Sequence, residues 1–291
     1  MKKVILSVIV LGLFGCQENK RANIDEEKFG GYWYQNSAEI NVYELDQIRY
    51  GESRKGEAVM IFVTEDFSRK DQVKLDDPQS NPSDAQKVMK LNKTRSFQTG
   101  IYPYETMLSV FTPVYEDKNS PKVVASMTEW CGQSFTQMNW KNGGYRIQQF
   151  SYFQSEGDQE VKVNAPSEDE LWNLLRLDPE LIEEGETELF PGLIYQRFSH
   201  INLKKQKAII SKNSVNALTA EMVVDYADIG RKLSIRYQKE FPFEILSWEE
   251  EEIGRNGDTL VTKALRKKVR QLDYWNLNST ENNDLAKALS L

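Results

Sequence analysis

Histidine and cysteine are nearly absent from this 291-residue chain, which contains one histidine, His200, and two cysteines, Cys16 and Cys131. Zinc sites need three or four ligands, drawn mostly from these two residue types. We therefore predict no metal site. The chain also lacks a P-loop, the glycine pattern of dinucleotide-binding folds and a Gly-x-Ser-x-Gly nucleophile elbow, so no motif predicts a cofactor or a catalytic residue.

Basic residues are in the minority, with 37 lysines and arginines against 44 aspartates and glutamates and a formal net charge of −7. An acidic surface repels the phosphate backbone of nucleic acids. The densest basic stretch, residues 263–270, is interpreted as a solvated face of one element. We therefore expect no nucleic-acid partner.

Long hydrophobic runs are limited to residues 4–14, which are apolar except for Ser7 and Gly12. Because a helix rises about 1.5 Å per residue, this run covers roughly half of a hydrocarbon core about 30 Å thick. The run follows two lysines and ends in Gly15-Cys16. This order is typical of a secretory signal peptide rather than of a membrane-spanning helix.

The pair Gly15-Cys16 resembles the lipobox of bacterial lipoproteins, in which the chain is cut before the cysteine and the thiol is acylated. The resemblance predicts a signal peptide over residues 1–15 and a palmitate-bearing, lipidated Cys16, whose acyl chains anchor the protein to a membrane. An ordinary signal peptide cut beyond Cys16 is the alternative. In such lipoproteins an aspartate after the cysteine marks inner-membrane retention, and Gln17 stands there instead. The expected location is therefore the cell envelope, at the outer membrane.

Residues 16–31 are predicted to form a flexible tether, because Ile24 and Phe29 are the only larger apolar residues among them. Residues 276–291 are predicted to form a loose tail with a short helix over residues 283–289. Between them, residues 32–275 form a β-rich body. One continuous domain is the preferred reading, and two lobes dividing near residue 167 are the alternative.

Period-two alternation dominates the body, for example in residues 38–45, and a β-branched and aromatic run at residues 58–64 indicates a more buried strand. Asn142-Gly143 predicts a tight hairpin turn. Further strands are predicted downstream, including residues 192–198. The expected fold class is mainly β: an antiparallel meander that forms a curved sheet or a half-open β-barrel.

One helix interrupts this pattern. Ser167 precedes an apolar run and Glu170 follows three residues later, which is the sequence of a capping box. Leu171, Trp172 and Leu174 supply an apolar side. The sequence therefore predicts one inserted amphipathic helix over residues 167–177.

Candidate chemistry is sparse. Cys131, between Trp130 and a glycine, becomes a nucleophile only with a base or cation beside it, and His200 is the only histidine. The alternative reading is an inert, buried cysteine at a strand end. The four glutamates at residues 249–252 place alternate carboxylates on opposite sides of a strand, so two of them form an inward acid/base pair or the run is a solvated edge.

Aromatic residues are dense at residues 32–34, 102–104 and 150–153. They are interpreted either as the lining of a cavity for an apolar or sugar-like ligand or as the ordinary core of a β protein.

Four further stretches carry a family resemblance: residues 41–46, 56–66, 99–104 and 129–132, together with the lipobox at Cys16. With them the whole chain resembles an uncharacterised family of bacterial envelope lipoproteins that are often labelled septum formation inhibitor Maf. Maf proteins are cytoplasmic nucleotide pyrophosphatases with a Ser-x-Ser-Pro-Arg-Arg motif, and this chain lacks that run. The resemblance therefore implies an envelope lipoprotein and no catalytic residues.

The later half also loosely resembles, by pattern, the β half-barrel of periplasmic proteins that handle lipophilic molecules. Two functions from different classes follow. The first is a non-enzymatic, membrane-anchored lipoprotein that binds a lipophilic ligand or an envelope protein. The second is a periplasmic hydrolase that uses Cys131 with His200, or a carboxylate pair.

Overall fold

The computed structural model describes residues 21, 24–254 and 256–289. The predicted fold class is confirmed, because the described residues form one antiparallel sheet of 14 strands that is not closed into a barrel. The predicted signal peptide and the lipidation site Cys16 lie outside the described residues.

The sheet is a meander whose first strand, in chain order, lies in the middle of the sheet. The first eight strands are β1 (Ala38–Arg49), β2 (Glu52–Ser68), β3 (Ala85–Thr99), β4 (Tyr102–Pro113), β5 (Lys122–Glu129), β6 (Gly132–Lys141), β7 (Gly144–Ser151) and β8 (Gln159–Val163). The other six are β9 (Gly185–Leu189), β10 (Gln206–Ser214), β11 (Thr219–Tyr226), β12 (Arg231–Gln238), β13 (Ile245–Ile253) and β14 (Thr259–Leu272). The α-helices are α1 (Glu26–Trp33), α2 (Leu171–Leu177), α3 (Leu193–Ser199) and α4 (Asn283–Leu289).

Strand β1 joins two runs of hairpins, because it pairs with β2 on one side and with β14 on the other. The spatial order is β8-β7-β6-β5-β4-β3-β2-β1-β14-β13-β12-β11-β10-β9. Strands from before and after residue 167 therefore belong to one sheet, and they are joined where β1 pairs with β14.

The sheet curves strongly. Arg95 on β3 and Glu250 on β13 lie four positions apart in the strand order, which corresponds to about 19 Å in a flat sheet with strands about 4.8 Å apart. Their side chains nevertheless form a bidentate ion pair, with Arg95 Nη1 3.3 Å from Glu250 Oε2. Only a sheet that wraps round its buried face allows this contact.

The hairpin turns define two ends of the sheet. The upper end carries the turns at residues 50–51, 100–101 and 130–131 and the connection from β7 to β8. The lower end carries the connections from β2 to β3 and from β4 to β5, and the Asn142-Gly143 turn. Both residues of that turn have positive φ, 52° and 78°, which confirms the predicted tight turn.

The connection between β8 and β9, residues 164–184, lies inside the curve, and we call it the inner segment. Its predicted helix is confirmed as a 3₁₀ turn (Glu168–Glu170) followed by α2, and Ser167 Oγ accepts the N–H of Asp169 at 3.2 Å. The capping box is wrong, because the Glu170 carboxylate instead accepts the N–H of Ser120 at 2.8 Å. The helix is also buried on its polar side, where Asn173 and Arg176 have no exposed surface.

Residues 192–198 are not a strand. They form most of α3, which begins after Gly192. The Leu193 N–H donates to the Asp169 carboxylate at 2.9 Å, so a buried acid on the inner segment supplies the acceptor for one free N–H of the first turn. Local sequence pattern does not reveal that acceptor, since it lies 24 residues away.

The predicted flexible tether is wrong from residue 26 onward. Asp25 caps α1 by accepting the N–H groups of Glu27 and Lys28. Phe29 and Trp33, one helical turn apart, are both buried in the core. The pattern was missed because its second aromatic residue lies beyond the predicted boundary at residue 31.

The predicted tail helix is confirmed as α4, but the tail is not loose throughout. Leu289 is buried, and Lys268 Nζ donates to the Ala288 carbonyl at 2.6 Å. Before this tail, Leu272 and Tyr274 pack against a small second cluster of buried residues formed by Ile40, Val42 and Val59.

Replacing Phe29 with alanine is expected to lower the free energy of unfolding by about 3–5 kcal/mol, because it empties a fully buried aromatic site. The matched change Gly31→Ala places a methyl group in open space on the same helix and should raise stability by up to about 1 kcal/mol. Urea unfolding followed by tryptophan fluorescence measures both. If Phe29→Ala lowers the free energy of unfolding by less than about 0.5 kcal/mol, as surface substitutions do, Phe29 is not buried and the predicted flexible tether would be supported instead.

Candidate functional site

The structure does not bring Cys131 and His200 together. Cys131 lies exposed in the turn from β5 to β6, so the expectation of a buried cysteine is wrong. A hydrogen bond with the Glu129 carboxylate raises the pKa of the thiol, which opposes thiolate formation. His200 instead contacts Glu156 and Arg197, and among the described residues no hydrogen bond or ion pair links it to Cys131.

The four-glutamate run lies on β13, an interior strand, so the reading as a solvated edge is wrong. Alternation is as predicted: Glu249 and Glu251 face outward toward lysines, while Glu250 is buried and Glu252 half-buried. Burial, with Glu250 as the second cause, raises the pKa of Glu252. Glu250 forms an ion pair with Arg95, so its role is structural, and it is not half of an acid/base pair.

Glu250 belongs to a set of six charged side chains between the sheet and the inner segment, which we call the buried charge cluster. All six are at most 6% exposed. The members are Lys93, Arg95, Glu168, Asp169, Arg231 and Glu250. They surround a cavity of about 20 Å³, roughly the space of one water molecule.

Two bidentate ion pairs account for four of these charges. Arg95 holds Glu250, and Arg231 holds Glu168 with a second contact of 2.8 Å. Burial alone raises the pKa of Glu250, but Arg95 and then Lys93 outweigh it and lower the pKa to about 2. A side chain on Gly192 does not fit here, because a Cβ would lie 2.8 Å from a Glu168 oxygen.

A further buried pair ties the inner segment to the middle of the sheet. Arg176 on α2 binds Glu39 on β1 through both guanidinium Nη atoms and donates from Nε to the Pro242 carbonyl at 2.9 Å. Burial by itself raises the pKa of Glu39, but the Arg176 charge together with hydrogen bonds from Arg176, Asn41 and Tyr32 outweighs it and lowers the pKa to about 2. The inner segment is thus fastened to β1 and, through Glu168, to β12.

The largest cavity among those described is an open cleft of about 660 Å³ at the lower end, within the range of small-molecule sites. Its apolar wall comes from α2, the end of the inner segment and the strands β9 and β10. The wall residues are Leu171, Leu174, Leu181, Ile182, Leu189 and Ile210.

Polar groups line the opposite side of the cleft. Arg21 donates to the Pro113 and Lys118 carbonyls, while its Nε atom is buried without a partner among the described residues. Arg69 and Lys118 both pair with Glu116. The cleft therefore combines an apolar wall with hydrogen-bond donors, the arrangement that holds an amphipathic molecule.

The aromatic runs do not line this cleft. Trp33 and Tyr104 lie in the core and Phe150 lies on the surface. Among the described residues that line the cleft, Trp140 is the one aromatic residue. The reading of these runs as cavity walls is wrong, and sequence reasoning also missed Arg21 and the apolar residues 181–182. The sequence pattern identifies Leu171 and Leu174 as the apolar side of a helix, but it does not show that they line an open cleft.

The upper end is different in character. Four large apolar side chains stand exposed near its turns: Tyr50 (61%), Ile101 (80%), Trp130 (69%) and Tyr152 (69%). Tyr50 also has a positive φ of 57°, which is costly for a residue with a bulky side chain. Exposed aromatic residues concentrated at one end of a protein are typical of an interaction surface.

Comparison with protein-family models, with the curated proteins and with solved structures finds no match to this chain. The resemblance to envelope lipoproteins stays a prediction. Within the described part of the chain, no helix has the length and hydrophobicity to cross a bilayer. The same residues contain no group of three side chains placed to hold a metal ion.

Replacing Arg95 with methionine is expected to cost about 3–5 kcal/mol of unfolding free energy at pH 7, because it leaves the Glu250 charge buried and unpaired. The matched change Lys263→Met removes the partner of the adjacent, half-exposed Glu249 and should cost less than about 1 kcal/mol.

The Arg95 effect depends on pH. The pKa of Glu250 is lowered to about 2 in the folded protein. The ion pair therefore stabilises the folded state fully above about pH 4.5, and this stabilisation is lost as the pH falls toward 2. The difference between wild type and Arg95→Met should therefore shrink in acid. A difference that stays constant from pH 7 to pH 3 would contradict this role for the pair.

Proposed function

We propose that this protein is a lipid-anchored lipoprotein of the cell envelope, expected at the outer membrane, that binds a lipophilic ligand in the cleft and catalyses no reaction. The cleft carries the proposal: its volume of about 660 Å³ is within the range of small-molecule sites, and its lining combines apolar side chains with hydrogen-bond donors. The residues predicted to form a hydrolase support the alternative poorly, since Cys131 and His200 are not linked.

The position of the cleft supports an exchange of ligand with the anchoring membrane. Arg21 lines the cleft and lies five residues after Cys16. Five extended residues span at most about 18 Å. A lipid-bearing Cys16 would therefore hold the lower end of the sheet, and the cleft with it, close to the bilayer surface.

The anchor is tested by replacing Cys16 with serine in the full chain. Incorporation of a labelled palmitate analogue should be lost, because the acylated thiol is gone, and the protein should leave the membrane fraction. Cys131→Ser is the matched control and should retain both the label and the membrane location. Label that persists in the Cys16→Ser protein would contradict lipidation at this position.

The ligand is tested by native mass spectrometry of the full chain, purified in mild detergent from its own envelope. A non-covalent lipophilic mass should accompany the wild type. Thr187→Trp should lower its occupancy about tenfold, equivalent to about 1.4 kcal/mol of binding, because Thr187 lines the cleft. Ser211→Trp, a partly exposed position on the outward side next to Ile210, should leave occupancy unchanged.

Denaturing spectra separate this ligand from the anchor, since the acyl chains are covalent and the ligand is not. Wild type without any bound small molecule would contradict the ligand proposal. A co-purified polypeptide in its place would favour a partner protein, the second binding candidate, for which the exposed side chains of the upper end are the supporting observation.

A further inference from the structure

Two buried charges of opposite sign in the cleft have no ion-pair partner. Arg21 is 9% exposed and Glu170 is 5% exposed, and both line the cleft. Within the described part of the chain, neither forms an ion pair with the other or with a third residue. A buried charge without a partner is costly, and such groups in a cleft are typical of a binding site.

The connection between β4 and β5 holds the two charges near each other. Arg21 donates to the carbonyl oxygens of Pro113 at 2.8 Å and of Lys118 at 3.2 Å. Two residues further along, the Ser120 N–H donates to the Glu170 carboxylate at 2.8 Å. These hydrogen bonds fix both groups, and each charge acts on the other without direct contact. The lining therefore presents a separated cation and anion side by side.

The other charged groups of the lining already have partners or solvent. Arg69 and Lys118 both pair with Glu116. Asp117 and Glu183 are exposed, so water solvates them. The two buried groups without partners add one charge of each sign, and a ligand group that carries a single charge would match only one of them.

Burial disfavours the charged form of both groups. It lowers the pKa of Arg21, against the charges of Glu170 and Asp117, although an arginine remains protonated. Burial raises the pKa of Glu170, while hydrogen bonds from Ser120 and the Arg21 charge act in the opposite direction. A ligand that brings an anion to Arg21 and a cation to Glu170 would reduce this cost at both positions.

We infer that the cleft binds a zwitterionic amphiphile, with an anionic oxyacid group on Arg21, an ammonium group on Glu170 and an acyl chain along the apolar wall. Leu171 directly follows Glu170 and belongs to that wall, so the head-group position adjoins the apolar surface. Both head-group contacts are charge-assisted hydrogen bonds, the stronger kind. The inference rests on the proposed function, because it names the class of the lipophilic ligand.

The head group is tested by native mass spectrometry of the full chain in a mild non-ionic detergent, titrated with three probes that share one acyl chain. Lysophosphatidylethanolamine is zwitterionic, lysophosphatidic acid lacks its ammonium group, and monoacylglycerol lacks the phosphate as well. Wild type should bind the zwitterionic probe at least about tenfold more tightly than either of the others, because each of them leaves a buried charge unpaired.

Two variants assign the charges. Glu170→Gln keeps an acceptor for the Ser120 N–H but removes the negative charge, so the zwitterionic probe should lose its advantage over lysophosphatidic acid. Arg21→Gln should weaken both phosphate probes about tenfold and leave monoacylglycerol unchanged. The matched controls Arg146→Gln and Glu160→Gln each remove one half of a half-exposed ion pair outside the cleft lining. They should leave the order of the three probes unchanged.

Equal binding of the three probes would overturn the inference and leave a lipophilic ligand in place, since the acyl chain would then decide affinity. Tightest binding of lysophosphatidic acid or monoacylglycerol would overturn it in the same way. Binding of none of the probes also overturns it, and contradicts the proposed function as well if purified wild type carries no lipophilic mass. The wild-type comparison decides the question even if a variant fails to fold.

Discussion

The burial of charge on the inner segment is the constraint on which the rest of the structure depends. Glu168 lies just before α2 and Arg176 lies within it, and both are buried in the protein interior, where an unpaired charge is very costly. Each finds its partner on a different strand, Arg231 on β12 and Glu39 on β1. Glu168 and Arg176 are only eight residues apart, so both ion pairs form only if the sheet curves round the inner segment.

The two ends of this curved sheet have different surfaces. At the lower end the inner segment leaves part of its apolar side open against β9 and β10, and this gap is the cleft. Arg21, the first described residue, lies at the same end, where it lines the cleft and donates hydrogen bonds to the end of β4 and to the connection between β4 and β5. At the upper end the hairpin turns project apolar side chains into solvent. The cleft and the exposed side chains of the upper end therefore lie at opposite ends of the sheet.

Much of the secondary structure was predictable because it follows from local pattern. Alternating residues and the Asn142-Gly143 turn specify strands and a hairpin by their own conformational preferences, and the helix after Ser167 has its N-cap in sequence. The strand predicted over residues 192–198 was wrong because the first turn of the helix there uses an acceptor from the distant Asp169. Helix α1 was not predicted because its buried side includes Trp33, beyond the predicted end of the tether. The cleft was not predicted for a related reason, because its walls come from segments that are far apart in the chain.

The sequence by itself determined the class of fold, the positions of most strands and of the inserted helix, and the scarcity of groups for metal or nucleophilic chemistry. The tertiary structure alone decided which charges meet. Nothing near Glu250 in the sequence identifies Arg95, 155 residues earlier, as its partner. Local preferences act over a few residues, whereas the pairing of buried charges depends on strand order and curvature, which arise only when the whole sheet has formed.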